Sequence, residues 1–157
     1  MRIIQIFKRF YHNFTCSVES SSLNFQVKTG VRQGCVMSAV LFNLVIDWLM
    51  HRSTEDQPRG IRLTLFDTLE DLDFADDLAL LSHTHQHMQE KTRRLNKLDQ
   101  QVGLQISKRK TEVMTLNVNV PAPVLFDDQA LPSIETFTYL GSVVRQNGGT
   151  TRTFRTD

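Results

Sequence analysis

Ile3, Ile6, Phe7, Phe10 and Phe14 recur at helical spacing, so the chain opens with an amphipathic helix expected to end near Asn13. Residues 15–19 and 23–28 flank a Ser-rich turn and read as a short hairpin. A loop with two glycines follows, and then residues 36–50, nearly all apolar, read as a buried helix whose expected N-cap is Ser38. Beyond a polar connection containing Pro58 and Gly60, residues 61–66 and 69–74 read as strands. A polar turn interrupts the apolar pattern, which resumes at 78–81. Met88, Leu95, Leu98 and Val102, spaced by seven, three and four, then form one stripe of a helix closed by Gly103.

The remaining apolar runs are short. Residues 104–106, 113–118, 124–126 and 134–140 read as strands punctuated by Pro121, Pro123 and Pro132. From Asn147 the chain is rich in Gly, Thr and Arg without apolar period, and residues 147–157 are expected to be a flexible tail. No repeat or low-complexity segment is evident. The pattern predicts a mixed α+β domain over 1–146, with helices packed on one face of a largely antiparallel sheet.

With 157 residues, 40% apolar and 22% charged, the composition is that of an ordinary globular domain. The formal net charge of +1 conceals a partition. Acids gather between Glu55 and Asp77, whereas Lys91, Arg93, Arg94, Lys97, Lys108, Arg109 and Lys110 form a basic stretch. That stretch suits a phosphate-rich partner, or it solvates an exposed helix face. Cys16 and Cys35 form neither a disulfide framework nor a zinc ribbon, which points to a reducing interior. Residues 1–14 lack the unbroken apolar core of a signal peptide, and 36–50 falls short of the roughly 20 residues that span a bilayer.

The candidate chemistry sits in Phe74-Ala75-Asp76-Asp77, paired carboxylates between two apolar runs. Alone, the tetrapeptide reads first as a turn, because Asp tolerates unusual dihedrals and hydrogen-bonds its own backbone. Its surroundings add weight to a second reading. Asp67, Glu70, Asp71, Asp73, Asp76 and Asp77 lie within eleven residues that contain no Lys or Arg. Such crowding needs a cation among the acids, and hard oxygen ligands favour Mg2+ or Mn2+. An aspartic protease would need Gly after Asp67-Thr68, where Leu69 stands. His83, His85 and His87 offer a zinc pair at i, i+4, but no further ligand completes the set at a recognisable spacing.

Four blocks in this order resemble the palm of reverse transcriptases, in particular those of non-LTR, LINE-like retrotransposons. Gly30-Val31-Arg32-Gln33-Gly34-Cys35, with Ser38 and Leu41-Phe42-Asn43, is similar to the family's template- and nucleotide-proximal loop and helix. Phe74-Ala75-Asp76-Asp77 is similar to its catalytic hairpin, where an aromatic-x-Asp-Asp sequence is the hallmark. Gly103-Leu104-Gln105-Ile106 leading to Lys110-Thr111 resembles the following strand and its lysine loop, and Phe137-Thr138-Tyr139-Leu140-Gly141 the primer-grip hairpin. Together they cover about residues 1–146.

The resemblance implies a partial right-hand polymerase palm that copies an RNA template onto a DNA primer from deoxynucleoside triphosphates. Asp76 and Asp77 would be catalytic metal ligands in a site of two Mg2+ or Mn2+ ions about 4 Å apart. Gly30 and Gly34 would admit the nucleotide or template to the backbone, Gln33 would bond near the templating position, Arg32 would meet phosphate, and Ser38 belongs to the same block. Lys110 would protonate or bind the pyrophosphate leaving group, the alternative being a solvated loop lysine. Tyr139, Leu140 and Gly141 would form the primer grip. Localisation follows from the family alone: intracellular, in cytoplasm or nucleus.

Three departures qualify the pattern. Ala39 replaces the family's proline after Ser38, which costs a pre-set φ and no hydrogen bond. Ser107 stands where asparagine is usual before Lys110. The third catalytic aspartate of the family lies upstream of all four blocks, so the isolated chain is expected to be an inactive piece whose site the missing upstream part completes. A non-catalytic remnant that binds RNA or a protein through Arg93, Arg94, Lys97 and Lys108 to Lys110 is the competing reading.

Overall fold

The computed structural model describes residues 2–17, 24–27, 30–55, 59–118, 121–147 and 150–152. The chain divides into two units, 1–44 and 45–157. In the first, helix α1 (Arg2–Tyr11) ends as expected, with Asn13 at φ 54° turning the chain into the antiparallel pair β1 (Thr15–Ser17) and β2 (Asn24–Gln26). The Ser-rich turn between these strands lies outside the described residues. Helix α2 (Val36–Thr54) crosses the division.

Helix α2 departs from expectation in two ways. It starts two residues before Ser38, because the Cys35 carbonyl already accepts from the Ala39 amide at 3.1 Å, so Ser38 is not its cap. Nor is it buried all round: Ile46, Leu49 and Met50 are in the core, whereas Val36, Val40, Leu44 and Trp48, four apart, are exposed. Among the described residues, no helix is long and apolar enough to cross a membrane.

Among the described residues, the second unit carries nine short strands, with one long helix between the fourth and the fifth. Strands β3 (Ile61–Arg62) and β4 (Thr68–Leu69) pair, as do β5 (Asp71–Phe74) and β6 (Asp77–Leu80). The expected strand over 61–66 stops at Arg62. There the Thr64 hydroxyl accepts from the Phe66 and Asp67 amides (3.2 and 3.0 Å) and donates to the Asp67 carboxylate (3.0 Å), a local network that outcompetes strand pairing.

Helix α3 (His85–Val102) is capped by Thr84, whose hydroxyl accepts from the His87 amide at 3.2 Å. Gly103 closes it at φ 74°, as its position past the apolar stripe predicts. The helix lies against β6 and against β7 (Leu125–Phe126), with the Gln89 amide bonding both polar groups of Leu125 (2.7 and 2.8 Å). Buried Leu95, Val124 and Phe126 join Ile46, Leu49 and Met50 as the apolar core of this unit.

Strand β7 pairs with β8 (Gln129–Ala130), and β9 (Thr136–Tyr139) with β10 (Ser142–Arg145), to which β11 (Thr150–Arg152) adds a third strand. The segment from residue 147, expected to be a flexible tail, thus includes β11. Residues 104–106 form no strand, and 113–118 contributes only a bridge from Val113 to Ser133. The α+β class stands, but among the described residues the strands make five small sheets rather than one broad sheet. Strands of two to four residues end before they can extend one another.

Candidate functional site

In the acidic hairpin, Phe74 lies opposite Asp77, leaving Ala75 and Asp76 as a two-residue turn. Ala75 adopts φ 56°, in the left-handed region, so the tip is a tight reversal. Asp76 and Asp77 are both exposed there. Asp71 and Asp73 share one face of the hairpin with Leu78 and Leu80, while Asp77 shares the other with Phe74 and Leu72.

Burial, then the neighbouring Asp73 charge, pushes the Asp71 carboxyl above its ordinary value. Burial, then the charges of Asp73 and Asp77, likewise raises the Tyr139 phenol. Tyr139 therefore lies within electrostatic reach of the acidic hairpin. It ends β9, its ring stacked on Phe137 at 6.3 Å, and the turn Leu140–Gly141 has φ 48° and 77°.

The hairpin's other end is held by groups that motif reading passed over. Lys91, taken as part of a basic stretch, is 1% exposed. It donates to the carbonyls of Glu70 (2.9 Å) and Leu81 (2.7 Å) and forms an ion pair with the Glu70 carboxylate. The other Glu70 oxygen accepts the amides of Arg59 (2.8 Å) and Gly60 (2.9 Å), and Arg59 pairs with Glu90 at 2.9 Å. A cation does sit among the acids, and it comes from α3. The signal was available: Lys91 falls three after Met88 and four before Leu95, inside the apolar stripe.

The basic stretch is correspondingly thinner. Lys108 pairs with Asp127, which also accepts from Asn96, and Arg94 pairs with Glu90 at 3.3 Å. Arg93, Lys97, Arg109 and Lys110 are exposed. Lys110 sits on a turn closed by its own amide on the Ser107 carbonyl (3.0 Å). Among the described residues, no hydrogen bond or ion pair joins it to Asp76 or Asp77.

In the first unit, Gly30 (φ 89°) and Gly34 (φ 75°) need conformations that only glycine adopts freely, and the space a Cβ would take beside each is open. Gln33 is exposed between them. Arg32 is not: its guanidinium lies 3.9 to 5.4 Å from the rings of Phe14, Phe10 and Tyr11 and donates to the Phe10 carbonyl. Ser38 is buried, accepts the Arg32 amide at 3.0 Å and bonds the Tyr11 hydroxyl at 2.5 Å. Both residues brace the glycine loop against α1.

Asp76 and Asp77 offer hard oxygen donors that suit a divalent cation, and Mg2+ is content with one or two carboxylates when water and phosphate fill its remaining positions. Among the described residues, no group of three or more His, Cys, Asp or Glu gathers into a closed metal cage. His83 and His87 do not share a helical face, because α3 begins at His85. His83 precedes α3 and accepts the Arg62 amide at 3.1 Å, and His85 bonds the Pro123 carbonyl at 2.9 Å.

Residues 2–144 match the reverse transcriptase (RNA-dependent DNA polymerase) family. The chain is 46% identical over 55 residues to the retrovirus-related Pol polyprotein from type-1 retrotransposable element R2 of Popillia japonica, covering 35% of this chain and 9% of that protein. It is 36% identical over 87 residues to the protein of the same description from Nasonia vitripennis, covering 55% of this chain and 8% of that one. The chain therefore spans less than a tenth of the length of these curated relatives. With a match running from the opening helix through the last of the four blocks, the chain belongs to the reverse transcriptase family.

Proposed function

We propose that these residues are the palm portion of an RNA-directed DNA polymerase and that Asp76 and Asp77 are its metal ligands. The observation that carries this reading is the acidic tip itself: two adjacent exposed carboxylates on a tight hairpin, in a chain matched to the family over 2–144. Two Mg2+ or Mn2+ ions, when bound, supply charge neutralisation for attack of a primer 3' hydroxyl on a nucleoside triphosphate. A third carboxylate, from outside these 157 residues, completes the donor set in this proposal.

The chain's own groups then take separate tasks. Asp76 and Asp77 hold the ions at the tip, and Tyr139, Leu140 and Gly141 steady the primer end beside them. The open backbone at Gly30 and Gly34 receives template or nucleotide, with Gln33 bonding near the templating base. Arg32 and Ser38 support this reading by shaping the loop rather than by reaching phosphate. Lys110 binds or protonates the departing pyrophosphate from its exposed turn.

RNA-templated primer extension tests the proposal, using a polypeptide extended upstream into the rest of the polymerase and, in parallel, the 157-residue chain. Incorporation by the longer polypeptide that needs Mg2+ and falls at least about 100-fold in Asp76→Asn is expected, with none from the short chain. Incorporation indifferent to Asp76→Asn overturns the site. Salt-sensitive RNA binding without incorporation in either polypeptide favours the non-catalytic remnant.

A further inference from the structure

We infer that Lys91 is the positioning residue of the acidic hairpin, a fixed cation that sets its base so that the tip carboxylates are left for metal. An ammonium has three N–H donors and no acceptor. Here two of them go to the Glu70 and Leu81 carbonyls, and the Glu70 carboxylate pairs with the ammonium as its counter-charge. Glu70 and Leu81 are the residues that flank β5 and β6, and the Leu81 amide closes the pair by donating to the Glu70 carbonyl at 2.9 Å. Both edges of the hairpin therefore converge on a single nitrogen delivered by α3.

The burial makes the arrangement specific. A lysine 1% exposed survives as a charge only with full compensation, and Glu70 gives it a carboxylate held in turn by two backbone amides. Arginine is not equivalent, since its wide planar fork does not bring two carbonyls and a carboxylate to one compact charge as an ammonium does. The six acids of the run are thereby divided. Glu70 is neutralised at the base, while Asp76 and Asp77 remain exposed at the tip.

The inference rests on the polymerase reading for what the hairpin does, but its geometry is tested independently. In the 15N-labelled wild-type chain, the Lys91 ammonium is expected to give slowly exchanging side-chain signals, correlated across hydrogen bonds to the Glu70 and Leu81 carbonyls. The exposed Lys97 ammonium serves as the fast-exchanging reference. A double variant, Glu70→Gln with Lys91→Met, removes both charges and leaves no buried ion unpaired. In it the Leu81 amide should exchange about tenfold faster or more.

In primer extension by the longer polypeptide, with rates normalised to titrated active sites so that loss of folded protein is cancelled, the same double variant should lower kcat while leaving the KM for nucleotide unchanged. A Lys91 ammonium that exchanges as fast as that of Lys97 overturns the positioning role. So does unchanged Leu81 protection in the double variant. If the wild-type polypeptide fails to extend a primer while the ammonium signals and exchange appear as expected, the polymerase reading falls and the positioning of the hairpin stands.

Discussion

Glu70 is the residue on which the acidic hairpin turns, and its ionisation is the outcome of opposed effects. Burial resists the charge, but the Lys91 hydrogen bond, the Gly60 amide, the Lys91 charge and the Arg59 amide outweigh it and hold the carboxyl below its ordinary 4.5. A carboxylate depressed in the folded state contributes stability above its unfolded value and loses that contribution as pH falls through the folded one. Acidification below 4.5 should therefore cost wild type stability that Glu70→Gln does not lose. Urea midpoints of the two proteins between neutral pH and about pH 3 measure the difference directly. The comparison also cancels Asp71, whose raised carboxyl acts in the opposite sense. Parallel midpoint curves would remove the charge from the account of how the hairpin is held.

At the scale of elements, the β3–β4 pair meets the hairpin base through Gly60. A Cβ built there would lie 2.0 Å from the Leu69 carbonyl oxygen, closer than any side chain can approach backbone. Gly60→Ala must move β4 or break the Gly60 amide bond to Glu70, so a loss of about 1–3 kcal/mol is expected from chemical denaturation. A loss below 0.5 kcal/mol, within the range of ordinary surface substitutions, would show that the strands separate there freely.

This close packing explains what was legible beforehand. The helices α1, α2 and α3 and the acidic hairpin announce themselves through periodicity, Gly103 and Phe74-Ala75-Asp76-Asp77. The early end of β3 at Arg62 was hidden because Leu63, Leu65 and Phe66 look like strand residues, while the Thr64 hydroxyl decides the backbone. Helix α2 looked buried because nearly every residue in it is apolar, and such a sequence does not say which side finds a neighbour. Lys91 has the identity of a surface residue, while its place in the apolar stripe of α3 puts it on the buried face.

Across the whole chain, the two units contribute different things to the proposed chemistry. The first presents a glycine loop braced by Arg32 and Ser38, and the second the acidic hairpin and the β9–β10 turn. The buried apolar side chains Ile46, Leu49, Met50, Leu95, Val124 and Phe126 all belong to the second unit, so its core supports the hairpin that matters most. Buried Lys91 and the paired Lys108 and Arg94 leave a smaller cationic surface than the residue count suggests. That shift favours a catalytic role for the acids over a role in which a broad basic face binds RNA by charge alone.

The most direct test of the central claim is to locate a paramagnetic cation on the chain. Mn2+ added at low stoichiometry to the 15N-labelled protein should broaden the amides of residues 74–78 first, and the effect should vanish in Asp76→Asn. Broadening spread evenly over Asp67, Glu70, Asp71 and Asp73, or broadening at the tip that survives loss of both Asp76 and Asp77, would contradict a metal site at this hairpin.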